Sequence, residues 1–566
     1  MSYLLQARHF LWIPGALFVA GLADAWATPT QQGSAGVRGL FNAVIYTVDS
    51  QRPLATAMAW NEQGELLAVG SDAEVMQRFP DLAARDLGGQ TVLPGLIDAH
   101  GHIHGLADTL SQVDLRDTGS LAEVRQRLLE FEKKLEPGEW LLGGGWDQNN
   151  WPGTEFPNRG DLDDLFGERP VWLRRIDGHA GWANTAALAQ IDRDLTGDWQ
   201  PQGGLIHRDI GGSPTGILID SAQVWVDDRV PEPSDSLRMD ALALALQRLS
   251  AAGLTGVQDA GLDWAGYQRY ERLIRDGKFP LRVNAMADGV GETMALLCRE
   301  GAQKHDSGLL GMRTVKLYAD GALGSRGAAL LEDYSDDPGN RGLLFEDSTR
   351  LREQVGRVLA CGLQAAVHAI GDHANREVLD ALEHLASEHS ENPGRHRIEH
   401  AQVLHPDDLQ RFSSLGVIAS VQPTHATSDM DWAERRLGPD RVPFAYAWHS
   451  LLDSGASLAL GSDFPVERYE PLLGFYAAVT RQDLNGMPPT GWLPSERLRR
   501  EKALHGFTLG AAYAAFSEQE LGSLEKGKRA DFIVLDRDIM QIPAAEILQA
   551  RVMETWLNGS RVHSRE

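Results

Sequence analysis

The chain has 566 residues, 43% of them hydrophobic and 23% charged, which is enough to bury a large core and carry satellite elements. Asp and Glu outnumber Lys and Arg by 79 to 53, a formal net charge of −26, and a surface of that sign repels polyanions, so a nucleic-acid partner is set aside. The two cysteines, Cys298 and Cys361, make no metal-ligand spacing and no disulfide framework; one bridge or two buried thiols satisfies the sequence equally.

In chain order, Met1 to Ala27 reads as a secretory signal. Arg8 and His9 precede the apolar run Phe10 to Ala20, and Ala25-Trp26-Ala27 has the small-x-small pattern of a cleavage site. The apolar run is well short of the roughly 20 residues that cross a bilayer. A mature chain from Thr28 would keep 566 − 27 = 539 residues. The expected location is periplasmic or secreted, without membrane attachment after cleavage.

Short alternating stretches follow: Ala43 to Val48, Ala57 to Trp60, and Leu66 to Val69 after the turn Asn61-Glu62-Gln63-Gly64. The far end of the chain has the same texture, in Gly527 to Asp536 and Val552 to Val562. Both ends are therefore placed in one small composite β-sandwich domain, residues 28–94 with 515–566. Between them, 95–514, strands and helices alternate. Ser120 to Leu135 begins at a capping box, Ser120 and Glu123, and lines Leu121, Val124, Leu128 and Leu135 along one face; Ser236 to Ala252 ends at Gly253. Buried strands are expected at Leu96 onward, Thr255 to Gln258, Leu281 to Met286, Thr314 to Tyr318, Gln364 to His368, Arg397 to His400, Val417 to Val421 and Ser457 to Leu460. Eight such strands separated by helices predict an α/β fold, a (β/α)8 TIM-like barrel. The interval 105–230 is a large insertion after the first strand. It holds seven of the fifteen tryptophans, which suggests a cap lining an aromatic pocket, with the core of a subdomain as the alternative.

Chemistry-bearing side chains gather where barrel strands end. His100 and His102 are two apart on an extended segment and point the same way, so both imidazoles reach one centre. Lys316, His368, His400 and Asp463 end four later strands, and parallel strands put all of them on one rim. His104 continues the alternation but falls beyond the strand and is read as structural.

Leu93-Pro94-Gly95-Leu96-Ile97-Asp98-Ala99-His100-Gly101-His102, Lys316-Leu317-Tyr318-Ala319-Asp320-Gly321-Ala322-Leu323-Gly324-Ser325-Arg326, His368-Ala369-Ile370-Gly371-Asp372, Arg397-Ile398-Glu399-His400-Ala401-Gln402 and Gly461-Ser462-Asp463 together resemble the amidohydrolase superfamily, closest to its YtcJ-like branch, amidohydrolase family 3. The resemblance covers nearly all of the mature chain. One departure is His373, where the branch more often has Arg; it is read as a non-ligand.

The resemblance implies two divalent metal ions, zinc first, with manganese or iron also compatible with oxygen and nitrogen donors. His100, His102 and Asp463 would hold one and His368 and His400 the other, with Lys316 bridging as a carbamate formed from CO2. Asp463 would also move the proton. Among further positions, His179 and Arg326 are candidates to orient a substrate carbonyl or carboxylate, and Gln422 and His425 to reach the pocket. The reaction implied is metal-assisted hydrolysis of a carbon-nitrogen bond in a linear amide, N-formyl or N-acyl compound. Lactones, cyclic amides and phosphoesters are alternatives that the residues do not separate. A metal-binding regulatory protein without catalysis would lack a ligand or base, and none is missing. The expected partner is a small-molecule substrate, and a homo-oligomer is permitted.

Overall fold

Barrel strand one, Leu96-Ile97-Asp98-Ala99-His100-Gly101, is buried along its whole length, as a parallel strand covered on both faces requires. In the computed structural model the described residues are 36–565 apart from 111, 134, 136, 232–234 and 393, so the signal segment read at 1–27 lies outside them. The barrel strands are β1 (Leu96–Gly101), β2 (Leu254–Leu262), β3 (Arg282–Asp288), β4 (Leu310–Tyr318), β5 (Gln364–Ala369), β6 (Arg397–His400), β7 (Ile418–Val421) and β8 (Ser457–Leu460). Neighbours pair in parallel in chain order from β1 to β8. The expected barrel is thus the observed one.

The seam between β8 and β1 closes through the segment after β8. Asp463 donates its backbone N–H to His100 O (2.7 Å), and His102 N–H reaches Phe464 O (2.8 Å). Gly101 is required there, because a Cβ at that position would lie 2.3 Å from the Phe464 ring. The barrel is therefore closed by the residues that carry its chemistry.

Two sheets flank the β1 entrance. One orders Leu66–Gly70, Ala57–Trp60, Arg38–Phe41 and Ala83–Asp86. The other joins the chain ends, with Thr91–Pro94 antiparallel to Phe532–Leu535 and that strand antiparallel to Val552–Leu557. Their shared core packs Leu40, Met58, Trp60, Val92, Phe532 and Val534. Trp60 sits edge-on to Phe532 at 5.4 Å and donates its indole N–H to Gly559 O (3.1 Å).

The insertion folds around its own mixed sheet, in the order Gly204–Arg208, Pro214–Asp220, Ala180–Ala183, Val171–Arg175, Leu141–Trp146 and Val113–Asp114. Its tryptophans form that subdomain's core and do not line the pocket. Trp146, Trp151, Trp172 and Trp182 are buried, and their indole N–H groups donate to Leu173 O, Thr118 O, Asp227 Oδ1 and Asn158 O. An aromatic side chain on a half-exposed sheet gains more by covering that sheet than by facing a cleft. The helix Leu121–Glu132 starts where expected, with Ser120 accepting from Glu123 N–H; Glu123 caps Gly119 instead of Ser120. Cys298 and Cys361 are joined in a disulfide between helices outside β3 and β4. Among the described residues no helix is long and apolar enough to cross a membrane.

Candidate metal centre

Four imidazoles and a carboxylate meet at the C-terminal rim. His100 is near the end of β1, with His102 just beyond; His368 is on β5, His400 ends β6, and Asp463 lies three residues past β8. Register places Tyr318 beside His368 and Ala369 beside His400, so the three elements deliver side chains at one level. His400 (φ 76°) and Asp463 (φ 62°) both occupy the left-handed region, which is uncommon for such residues and costs on the order of 1–3 kcal/mol each. The surrounding structure holds them there, and both belong to the cluster.

One nitrogen of each of three histidines is already committed. His100 Nδ1 faces Glu399 Oε2 (2.5 Å), His102 Nδ1 faces Ala260 O (2.8 Å) and His400 Nδ1 faces Gln422 Oε1 (2.9 Å). Each partner is an acceptor, so Nδ1 carries the hydrogen and Nε2 keeps a lone pair. His102 Nε2 then lies 3.1 Å, and His100 Nε2 3.6 Å, from Asp463 Oδ1, an acceptor set against acceptors. Asp463 Oδ1 and His368 Nε2 are buried without a hydrogen-bond partner. Ligand atoms of His100, His400 and Asp463 fall within 4.8 Å of one another. Convergent, buried lone pairs with no proton between them are a donor set for a cation, and an imidazole whose other nitrogen is held by a carboxylate or amide oxygen is the usual form of a metal-binding histidine. Burial, chiefly, lowers His100 to about 4 and keeps His368 and His400 well below the usual histidine range, which leaves them neutral and able to ligate.

Lys316, on β4, is buried with Nζ 3.1 Å from His100 Nε2. Burial, above all, lowers it to about 8. Asp98 ties the two halves of the centre: Oδ1 accepts from His100 N–H and Ser462 N–H (3.0 Å each) and Oδ2 from the Ser462 hydroxyl (2.6 Å). Gly461 permits this, since a Cβ there would lie 2.6 Å from Asp98 Oδ1. Behind His368, Asp320 accepts backbone N–H groups from Ala329, Ile370 and Gly371. Behind His100, Arg397 bonds Glu399, Ala99 O and Ser420. Sequence reasoning misses Asp98, Asp320, Arg397 and Glu399, although Asp98 is two residues before His100, Glu399 one and Arg397 three before His400, and Asp320 four after Lys316; a charged residue within four positions of a ligand in an otherwise apolar strand end is the available signal.

A cavity of about 590 Å³ opens over the centre, lined by His102, Lys316, His368, His400 and Asp463. His179 comes into it from the insertion, with Nδ1 2.6 Å from Asp220 Oδ1 and its ring 5.7 Å from that of His368. Burial, the largest single effect, works against its charge, but the hydrogen bond and charge of Asp220 with the charges of Asp177 and Asp320 together outweigh it and raise its pKa. His425 also lines the cavity, with Nε2 3.7 Å from Asp463 Oδ2. The other two expected substrate contacts are corrected. Gln422 is buried and spends its carbonyl on His400, so it positions a ligand. Arg326 lies outside this lining, in a separate cavity, where Asp336 takes it in a two-point ion pair. His104 lies tilted against the Tyr270 ring (5.4 Å), and His373 faces Glu377 on its own helix; neither joins the cluster.

A family model described as "Amidohydrolase family" matches residues 83–563. The chain belongs to the amidohydrolase family. It is 36% identical to "Protein LONG AFTER FAR-RED 3" of Arabidopsis thaliana, over 92% of this chain and 91% of that one. It is 34% identical to "Putative amidohydrolase YtcJ" of Bacillus subtilis (strain 168), over 92% and 98%. Against "N-substituted formamide deformylase" of Arthrobacter pascens the identity is 29%, over 92% and 97%. Among solved structures, an uncharacterized metal-dependent hydrolase from Pyrococcus horikoshii superposes with a TM-score of 0.72 at 28% identity, covering 90% of this chain and 99% of that one. The chain is thus a hydrolase of the metal-dependent amidohydrolase family, and its rim cluster has the donors that such a metal needs.

Glu399→Gln tests the support of that cluster. Without the carboxylate, His100 loses its anionic partner but not its position, and affinity for zinc should fall about 10- to 100-fold. Competition against a chromophoric chelator measures this, and unchanged affinity in a folded variant would reduce Glu399 to a packing role.

Proposed function

We propose that the protein hydrolyses a carbon-nitrogen bond of a linear amide, N-formyl or N-acyl compound. The observation that carries this reading is the convergence of His100, His102, His368 and Asp463 at the floor of a cavity sized for a small molecule, with His368 Nε2 and Asp463 Oδ1 buried there without a hydrogen-bond partner. A relative named as an N-substituted formamide deformylase supports the choice of bond.

In this reading His100, His102 and Asp463 would hold one divalent ion and His368 and His400 a second, zinc by donor type, and Lys316 would contribute as a carbamate. A neutral amine is the form that takes up CO2, and burial lowers Lys316 toward that form. Bound metal supplies Lewis acidity, acidifying water and polarising the scissile carbonyl. Asp463 takes one proton from the attacking water and returns it to the departing nitrogen as the C–N electron pair leaves with it, so that a carboxylic acid and an amine result, and the acid's proton then passes to the amine or to solvent. His400 is held in its ligating tautomer by Gln422, and His100 by Glu399. His179 and His425 stand over the centre to contact the substrate carbonyl or leaving group.

A hydrolysis screen of the zinc-reconstituted mature protein against N-formyl, N-acyl, lactone and phosphotriester compounds tests the choice of bond. Turnover should be greatest on the first two. Turnover confined to lactones or phosphotriesters would contradict it. The Cys298–Cys361 disulfide supports export, because such bonds persist in oxidising compartments. N-terminal sequencing of protein from a Gram-negative periplasm should begin near Thr28, and soluble cytoplasmic protein retaining Met1 would refute it.

A further inference from the structure

A second cavity, of about 560 Å³, adjoins the central one. His102, Ile176, His179, Tyr318 and Val466 line both, so no more than one side chain's thickness parts the two spaces. Tyr318 stands two residues past the buried Lys316 yet keeps 37% of its surface exposed, and its hydroxyl reaches Asp288 at 3.5 Å, the limit of a hydrogen bond. Beyond that wall the second cavity runs between the end of β2, at Ala260 and Leu262, and the insertion sheet.

Parallel register aligns Asp114, Gly144 and Arg174 across three neighbouring strands of that sheet, and all three line the second cavity. Between two charged side chains Gly144 leaves the wall open: a Cβ there would meet only Arg174, at 3.7 Å, an ordinary contact. The charges on the insertion side are already paired, Asp114 with Arg116, Arg175 with Asp177 and Arg174 with Asp227, at 2.6 to 2.7 Å. On the barrel side Asp259 accepts from the Tyr270 hydroxyl and Ile103 N–H. Paired charges select no ion, and the apolar remainder, Ile176, Val466, Ala260 and Leu262, suits an uncharged chain.

Resting on the carbon-nitrogen reading above, we infer that the second cavity receives the acyl half of the substrate, an unbranched apolar chain of several carbons. The direction follows from Asp463. It has to reach the departing nitrogen, and it lines the central cavity but not the second, whereas His102, 3.1 Å from it, lines both. The amine half therefore stays on the Asp463 side, and the other substituent of the carbonyl carbon points past His102 and Tyr318. A formyl group leaves this space to water, and an octanoyl chain extends along it toward Gly144.

N-formyl, N-acetyl and N-octanoyl butylamine test this on the zinc-loaded mature protein, with N-formyl octylamine as the reversed arrangement. Wild type should use the octanoyl compound at least about tenfold better in kcat/KM than the acetyl one, because each buried methylene adds to binding. Gly144→Leu fills the gap between Asp114 and Arg174, so that ratio should fall at least about tenfold, while the ratio of formyl octylamine to formyl butylamine stays within about twofold of its wild-type value. Gly144→Ala, the milder change, should move the acyl ratio the same way by a smaller factor. An acyl ratio unmoved by either substitution, an amine ratio that moves instead, or wild type that uses octanoyl no better than acetyl overturns the inference. Acetohydroxamate and octanohydroxamate, which bind metal through the acyl end, are titrated in parallel by calorimetry; the longer should bind wild type at least about tenfold tighter and lose most of that margin in Gly144→Leu. Such chain-dependent binding without turnover of any amide would sustain the acyl cavity and sink the amide-hydrolase reading; turnover of the amides with no dependence on acyl length sinks the acyl cavity alone.

Discussion

Asp463→Asn is expected to keep its metal and lose about 10² to 10⁴ of its turnover. The substitution leaves an oxygen facing His102 Nε2, which is 3.1 Å from Asp463 Oδ1 in the wild type, so the donor set is largely preserved. The backbone N–H that closes the barrel onto His100 O is untouched, and the fold should hold. What is lost is the carboxylate's ability to take a proton. Metal analysis alongside kcat on the best substrate from the screen checks both halves. Normal turnover with both metals present would move the base elsewhere, and His425, whose unpartnered Nε2 is 3.7 Å from Asp463 Oδ2, would be the next group to replace.

Lys316→Ala should act on the metal more than on the proton. Lys316 is buried among the ligands with its Nζ beside His100 Nε2, a place where an ammonium would oppose a cation and a carbamate would bind it. Removal of the side chain should empty or weaken the centre and reduce activity by more than about 10²-fold. Bicarbonate with a short-chain carboxylic acid should restore part of both, since a small carboxylate fits the space left by the butyl-carbamate stem. Full metal content and activity in Lys316→Ala would leave the lysine as a packing residue, and the bridging assignment would fail.

The barrel was legible because its strands are short apolar runs separated by helices, and because parallel strands put their last residues on one rim: His100, Lys316, His368 and His400 could be grouped before any coordinate was known. Asp463 was legible for the same reason, although it lies beyond β8, not in it. Of the two readings of the tryptophans, the sequence favours the cap and the subdomain core is the one observed. Seven in one insertion suggested an aromatic pocket, but spacing cannot show which face of a sheet turns inward, and these rings fill the insertion's own two cores. Arg326 misled. Its Gly-Ser-Arg turn looked poised for an anion, whereas the partner that claims it, Asp336, is ten residues along the chain and across a turn. Gln422 was found but given the wrong task, because a polar residue after a barrel strand points equally well at a substrate or at a neighbouring ligand. The supporting charges Asp98, Asp320 and Glu399 share one property that a sequence hides, full burial with key partners distant in the chain: Ser462 for Asp98, Ile370 and Gly371 for Asp320, and His100 for Glu399.

The two-metal centre is tested most directly by elemental analysis of the purified mature protein, before and after a chelator. Up to two divalent ions per chain should be present, zinc foremost, and activity should disappear with them and return on zinc addition. Fully active protein that carries no divalent metal would contradict the assignment of His100, His102, His368, His400 and Asp463 as its ligands.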